Sequence, residues 1–331
     1  MDANPVRSAV TDLAAAQGFG PVTVDDRAVT AMATTIADEP LALPAWDTPA
    51  IPDPDAVGAD TLLDLLVVAN ALNFQFDHYD TGETFATTYD GDRYTGAFGL
   101  FACFTRALEA GTPVTSPDYL ATLDRETVAA LLAGDPAMPR LPDRHRILRH
   151  VGERLQTLPG DGVADALSTT GPIRPFDGGD GLVEFLVRAF PAAYNDVRTV
   201  DGHTVPFYKK AQLAAALLAG HFDSTHRYGV ADLSSLTLFA DYVIPAVLRD
   251  VDVLSYTDAL ADRIDDGRVI PVGSPAEVGI RAATVAAGDR LVAAVNDRRT
   301  ESVTAVHLDQ YLWRSGRLEG SAFHRTPTTS Y

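Results

Sequence analysis

From Leu62 to Phe76 the chain reads LLDLLVVANALNFQF, with Asp64 its single charge. A helix that is apolar on nearly every side cannot rest on a surface and has to be surrounded. The spacing therefore predicts a buried helix over 62–76 at the centre of the fold. What surrounds it also reads as helix. Two short helices are expected over 10–37, the second entered through Asp25 and Asp26 and carrying Val29, Met32 and Ile36. Another runs from Gly99 to Glu109 and stops at Gly111; Ser116-Pro117-Asp118 opens the next; two more lie over 124–157. Further helices are expected over 213–219, 257–265, 275–296 and 304–314. Ser274-Pro275-Ala276-Glu277 reads as a capping box, with Glu277 four residues before Arg281 and able to pair with it.

Two stretches break this pattern. FATTYDGDRYT and VRTVDGHTVPF alternate β-branched and aromatic residues around Asp90-Gly91 and Asp201-Gly202, and Asp-Gly pairs tolerate the positive φ of tight hairpin turns. The expected fold is mainly α: one globular helical domain over 1–331 with two short β-hairpins. Within 1–60 a connector holding Pro44, Pro49, Pro52 and Pro54 excludes regular helix, and Trp46 in its midst either anchors on the core or walls a pocket. Gly160–Gly181, rich in Gly, Pro and Asp, reads as a loop or a domain junction.

Composition narrows the functions. The formal net charge is −19, from 45 acidic and 26 basic residues, and every basic residue except Lys209 and Lys210 is arginine. A dispersed acidic surface almost without lysine suits a protein kept soluble in high salt, and the absence of a basic groove argues against binding nucleic acid. Cys103 stands alone among Leu100, Phe101 and Phe104 and reads as a buried hydrophobe. The opening MDANPVRSAV lacks a charged leader followed by an apolar run, and no apolar run approaches a membrane span, so a cytoplasmic protein away from membranes is expected. His145 and His150 are five apart rather than four, which discounts a metal site on that helix; no cofactor is expected.

Three places could carry chemistry. Leu233–Arg249, LSSLTLFADYVIPAVLR, reads as a helix capped by Asp232, with Leu233, Leu236, Ala240, Val243 and Val247 on one face. Phe239 and Asp241 then flank that face, each about 100° from its centre. Pro245 has no N–H for the carbonyl of Asp241, so a kink is expected there, and Asp241 is either a local cap or a functional carboxylate at a backbone break. Lys209 and Lys210 are compact ammonium donors suited to phosphate, or a solvated pair at a helix start; the period turns Lys210 inward and Lys209 away. HLDQYLW, residues 307–313, repeats the arrangement with Asp309 at the shoulder of an apolar stripe and Trp313 beside it. Asp241 and Asp309 are candidates for the carboxylate pair that glycoside chemistry uses.

Several of these segments recur together in one family. Asn73-Phe74-Gln75-Phe76, the stretch from Tyr94-Thr95-Gly96 through Thr115-Ser116-Pro117-Asp118-Tyr119, Arg144-His145-Arg146-Ile147-Leu148, Phe207-Tyr208-Lys209-Lys210-Ala211-Gln212, Phe239-Ala240-Asp241-Tyr242 and Leu308-Asp309-Gln310-Tyr311-Leu312-Trp313 stand in that order. Over about residues 60–314 the chain resembles the queuosine salvage proteins, the queuosine 5′-phosphate N-glycosylase/hydrolase family. The resemblance implies a mostly helical, DNA-glycosylase-like fold and hydrolysis of a 7-deazaguanine nucleotide to free base and ribose 5-phosphate. It implies Asp241 as nucleophile or transition-state stabiliser. Leu238, Phe239 and Asp309 with its neighbours would hold the base, Phe239 or Trp313 would stack on it, and a lysine of the Tyr208-Lys209-Lys210 run would take the 5′-phosphate. Against the family pattern, Gln310 replaces a tyrosine, Arg314 an acid, and Ala50 lies near the place of a histidine. These departures touch base recognition and predict a preference for bases without queuine's charged amine. Two other classes stay open: a carrier that binds the nucleotide or base without turnover, and a helical structural or partner-binding protein.

Overall fold

The apolar run over 62–76 is helical only in its first part. The computed structural model describes residues 4–43, 48–319 and 322–331, so Trp46 lies outside the described residues. The central helix is Ala59–Asn70, and its Leu62, Leu63, Leu65 and Leu66 are fully buried. It stops because its next carbonyls are taken by a side chain. Arg144, itself fully buried, donates to the carbonyls of Leu72, of Phe74 (2.6 Å) and of Gln75 (2.8 Å), and its guanidinium lies 4.2 Å from the centre of the Phe74 ring. Asn70 turns its amide to the carbonyl of Lys210 at 2.7 Å. Residues 73–76 are thereby released from the helix and held as a bent segment.

The helices expected at 10–37, 124–157, 257–265, 275–296 and 304–314 are present as Pro5–Gln17 and Asp26–Ile36, Arg125–Leu131 and Leu141–Leu155, Asp258–Asp265, Pro275–Asn296 and Ala305–Glu319. Asp25 caps its helix through the N–H groups of Arg27 and Ala28. The Gly160–Gly181 stretch contains the short helix Val163–Leu167, and Pro54 opens another, Pro54–Val57. Cys103 is buried. Among the described residues no helix is long and apolar enough to cross a membrane.

Both hairpins form, Ala86–Tyr89 with Asp92–Thr95 and Val197–Val200 with His203–Pro206. Asp90 and Gly91 have φ of 48° and 84°, and Asp201 and Gly202 47° and 82°, the doubly left-handed turn that matches the strands' twist. A third antiparallel ladder joins Val22–Val24 to Leu254–Tyr256. Strands this short, from opposite ends of the chain, leave no period to read.

Leu233–Arg249 is not one helix. Leu233–Ser235 is a single 3-10 turn, Leu236–Ala240 has neither helix nor strand partner, and helix resumes only at Val243–Asp250. Asp232 caps nothing: its φ is +59° and its carboxylate takes the Ser234 hydroxyl. Pro245 sits in the first turn of Val243–Asp250, where a missing N–H removes no bond. Side chains from remote elements serve the irregular run instead. Arg7 donates to the carbonyl of Leu236 (2.7 Å), Gln212 accepts from the N–H of Thr237 (3.0 Å), Asp309 accepts from that of Phe239 (2.8 Å), and Arg281 donates to the carbonyl of Ala240 (2.8 Å). Without them a buried backbone here would lose several hydrogen bonds.

Two apolar cores result, and Pro275–Asn296 feeds both: Val278, Ala282 and Val285 pack in the core around the central helix, while Ile280, Ala287 and Leu291 pack with Ile244 and Leu248 of the Val243–Asp250 helix. Gly288 lets the irregular run approach this helix. A Cβ there would sit 2.5 Å from Cγ of Leu238. Ser274 caps the helix through the N–H of Glu277 at 3.3 Å, and Glu277 pairs with Arg281 at 3.2 Å, as the spacing predicts, but both are buried completely.

The clamp on residues 72–76 gives a stability prediction. Arg144→Met leaves several buried carbonyls unpaired and should cost about 3–5 kcal/mol, read as a lower urea midpoint in high-salt buffer with an unchanged m-value. A loss below about 1 kcal/mol would mean the bend holds without the guanidinium.

Candidate active site

The bent segment at 73–77, the irregular run ending at Asp241 and one face of Ala305–Glu319 enclose a cavity of about 390 Å³. The first turn of Lys209–His221 closes one side, and Phe323 and Tyr331 of the closing segment form another wall. That segment is tied down by Tyr79, whose hydroxyl donates to the carbonyl of Thr326 (3.0 Å), and by the N–H of Gln75, which donates to the carbonyl oxygen of Tyr331 (3.1 Å). The walls are largely aromatic. Phe74, Phe76, Phe239, Tyr242 and Trp313 line it, and Trp313 is braced edge-on by Phe98 with ring centres 5.8 Å apart.

Asp241 lies in this wall with its orientation fixed. One carboxylate oxygen accepts the N–H groups of Val243 (2.8 Å) and Ile244 (3.1 Å), so Asp241 does cap a helix, the one that follows it. The other oxygen faces the ammonium of Lys209 at 3.8 Å. The local cap and the cavity carboxylate, alternatives in the sequence, are the same residue.

Asp309 enters from the facing helix. One of its oxygens holds the N–H of Phe239 at 2.8 Å. Burial, and then the charge of Asp241, push its carboxyl well above the usual carboxylate range; the Phe239 N–H and Lys209 pull less strongly the other way. Of the three carboxyl groups that line the cavity, Asp77 accepts the Thr84 hydroxyl, Asp241 is met by two N–H groups and an ammonium, and Asp309 is inclined to keep its proton.

The lysines are divided differently from the periodic reading. Lys210 is inward but not in the cavity: its ammonium donates to the carbonyl of Ala71 at 2.7 Å over the Phe74 ring. Lys209, expected to point away, is buried and lines the cavity. Burial lowers the pKa of both; for Lys209 the charges of Asp241 and Asp309 oppose it. The reason is the start of the helix. Tyr208 has φ of +51° and stands before the first turn, so core surrounds the helix entry on both sides.

Of the remaining candidates, Gln310 lines the cavity. Leu238 does not; it packs on Gly288 in the second core. Tyr208 is half-buried outside the lining, and Arg314 is exposed on the helix beyond it. Ala50 is buried away from the cavity, where its carbonyl accepts the Thr105 hydroxyl at 2.7 Å. His145 turns to the carbonyl of Leu123 (2.9 Å), and neither it nor His150 reaches the cavity. Among the described residues no group of three or more His, Cys, Asp and Glu is placed to hold a metal ion.

Sequence reasoning missed Asp77, Phe323 and Tyr331 as wall residues, and the buried pair Asp196–Arg281 behind the wall. Phe323 and Tyr331 carry no periodic signal. Arg281 did carry one, a charge set among Val278, Ile280, Ala282 and Ala283, but pairing with Glu277 four residues before it accounted for that charge within the helix.

An aromatic-walled cavity with one ammonium, a fixed carboxylate and a second carboxyl group can hold a flat heterocycle while a positive charge develops beside Asp241. Residues 54–331 match the queuosine salvage protein family. The chain is 36% identical to the queuosine 5′-phosphate N-glycosylase/hydrolase of Sphaerobacter thermophilus, over 94% of this chain and 93% of that one. It is 32% identical to the protein of the same name from Mus musculus, over 83% of each chain, and 30% identical to that from Bos taurus, over 80% of each. Match and relatives together span nearly all of the sequence, and the chain belongs to the queuosine salvage protein family.

Proposed function

We propose that this chain hydrolyses the N-glycosidic bond of queuosine 5′-phosphate or a related 7-deazaguanine nucleotide, releasing the free base for salvage. The observation that carries the reading is Asp241, held by two N–H groups and faced by Lys209 in an aromatic cavity. Relatives that match most of the chain are also named for this activity. The substrate is a free nucleotide in the cytoplasm rather than nucleic acid, in keeping with the acidic, lysine-poor composition. The whole of 1–331 acts as one domain.

Cleavage of the bond between the anomeric carbon and the base nitrogen builds positive charge on the ribose. Asp241 meets that charge, either electrostatically or by bonding to the carbon. Water supplies hydroxide to the anomeric carbon, and its proton restores the acid that protonates the departing base. A 7-deazapurine has no N7 to protonate, so more of the barrier falls on the sugar cation and hence on Asp241. Asp309 in its acid form donates to the leaving base, Phe239 and Trp313 sandwich the ring, and Lys209 serves the phosphate. Gln310, in the wall, is where the base's side chain is read; Arg314 stands outside it. Hydrolysis rates for nucleotides with and without the amino side chain measure that selectivity.

Three outcomes are expected. Asp241→Asn keeps a helix-capping oxygen and should fold and bind nucleotide, yet lose on the order of 10²–10³ in kcat, followed as base release by chromatography in high-salt buffer; turnover near wild type would remove Asp241 from the reaction. Lys209→Met should raise KM for the nucleotide about tenfold or more but leave the unphosphorylated nucleoside little changed, whereas Lys210→Met should cost about 1–3 kcal/mol of stability with kcat intact in the folded protein. An equal effect of Lys209→Met on nucleotide and nucleoside would place the phosphate elsewhere.

The third concerns pH. A carboxyl whose pKa is raised is active as an acid below that pKa, so kcat/KM should fall as pH rises through it. Asp309→Asn should lower the rate and abolish this alkaline limb. Persistence of the same limb in the variant assigns it to another group.

A further inference from the structure

Behind the cavity wall lies a charged cluster that does not touch the cavity through its ions. Arg281 is fully buried and Asp196 nearly so. They meet as a two-pronged pair, Nη1 to Oδ1 at 3.0 Å and Nη2 to Oδ2, and Glu277 takes Nη1 from the other side at 3.2 Å. The guanidinium is sandwiched between Phe207 and Tyr331, 3.9 and 4.4 Å from their ring centres, and the Tyr331 hydroxyl donates to Glu277 at 3.1 Å.

A pair so deeply buried is a poor source of stability, because desolvation offsets most of its attraction and apolar replacements often do as well. Its remaining bonds give it another use. Arg281 Nε donates to the carbonyl of Ala240 at 2.8 Å, directly before Asp241. The backbone carbonyl of Asp196 accepts the N–H groups of Phe207 (2.8 Å) and Tyr208 (3.4 Å), and its carboxylate lies 3.5 Å from the N–H of Lys209. These bonds hold Tyr208 in its left-handed conformation, which a side-chain-bearing residue adopts only when its surroundings impose it.

We infer that the Asp196–Arg281 ion pair is a positioning device for the reaction, one buried unit that fixes both Asp241 and Lys209 and so sets the ammonium and carboxylate 3.8 Å apart in the cavity wall. Arg281 sets the carboxylate through Ala240, and Asp196 sets the ammonium through the helix entry. The inference rests on the proposed role of Asp241.

The test measures kcat, nucleotide affinity by titration of tryptophan fluorescence, and melting temperature for Asp196→Asn, the double variant Asp196→Asn/Arg281→Met, and Leu62→Ala. Leu62 is a core residue outside the cavity and reports what destabilisation alone does. The double variant removes both charges of the pair and leaves Glu277 to Arg198, whose Nε lies 3.6 Å from its carboxylate. Below the melting temperature of each, Asp196→Asn and the double variant should lose on the order of 100-fold in kcat, as a displacement near 1 Å does. Nucleotide affinity should fall too, because Lys209 is displaced with Asp241, but by less than the about tenfold expected of Lys209→Met, so that kcat carries most of the loss. Leu62→Ala should melt earlier and keep its kcat. A folded Asp196→Asn or double variant with the kcat of Leu62→Ala overturns the positioning role. Wild-type kcat in Asp241→Asn would instead overturn the reading beneath it.

Discussion

Residues 236–240 pass through buried surroundings with neither helix nor strand to satisfy them, and much of the site follows from how that backbone is served. Burying an unpaired amide costs roughly as much as a hydrogen bond is worth in an apolar medium. Arg7, Gln212, Asp309 and Arg281, from four separate helices, supply the partners. Each bond ties one helix to the run, so the run cannot shift without breaking several at once. Asp241 stands at its end. The N–H of Asp241 closes a tight turn onto the carbonyl of Phe239 at 2.7 Å, and its carboxylate starts the next helix. A carboxylate so held needs little reorganisation to meet a developing charge, which is the property that makes preorganised electrostatics effective.

The same construction gives the two acids different surroundings. Asp309 serves the run by accepting the Phe239 N–H, and burial beside Asp241 favours its protonated form. Asp241 is surrounded by donors. Inside the protein some charges are matched, Arg281 with Asp196 and Glu277 and Lys209 with Asp241, whereas Arg144 and Lys210 rest on backbone carbonyls and aromatic rings.

Much of the helical framework was legible because it is locally determined. Asp25 and Ser274 cap where their types predict, Asp90-Gly91 and Asp201-Gly202 turn as Asp-Gly pairs do, and Pro275–Asn296 begins and ends where its pattern does. The wheel over 233–249 failed for a physical reason. Its apolar spacing is compatible with a helix, but the side chains that keep the backbone out of one lie up to more than two hundred residues away, as Arg7 does. Asp241 was singled out through Pro245 and a kink that does not exist; the proline instead fits a helix start, and the break lies before it. Lys209 was turned outward because periodicity assumes one buried face, and this helix is buried on nearly all sides. Periodicity put Asp309 and Trp313 beside one apolar stripe, but the Asn73–Phe76 segment gained its meaning only from the family resemblance, since the contacts that bring it to Leu308–Trp313 are non-local.

Turnover at the cavity is measured by offering queuosine 5′-phosphate to the wild-type protein in high-salt buffer and counting free base released per protein molecule. Many molecules of base per protein are expected, with ribose 5-phosphate in equal amount. Nucleotide retained one-to-one with no free base would contradict turnover and make this chain a carrier.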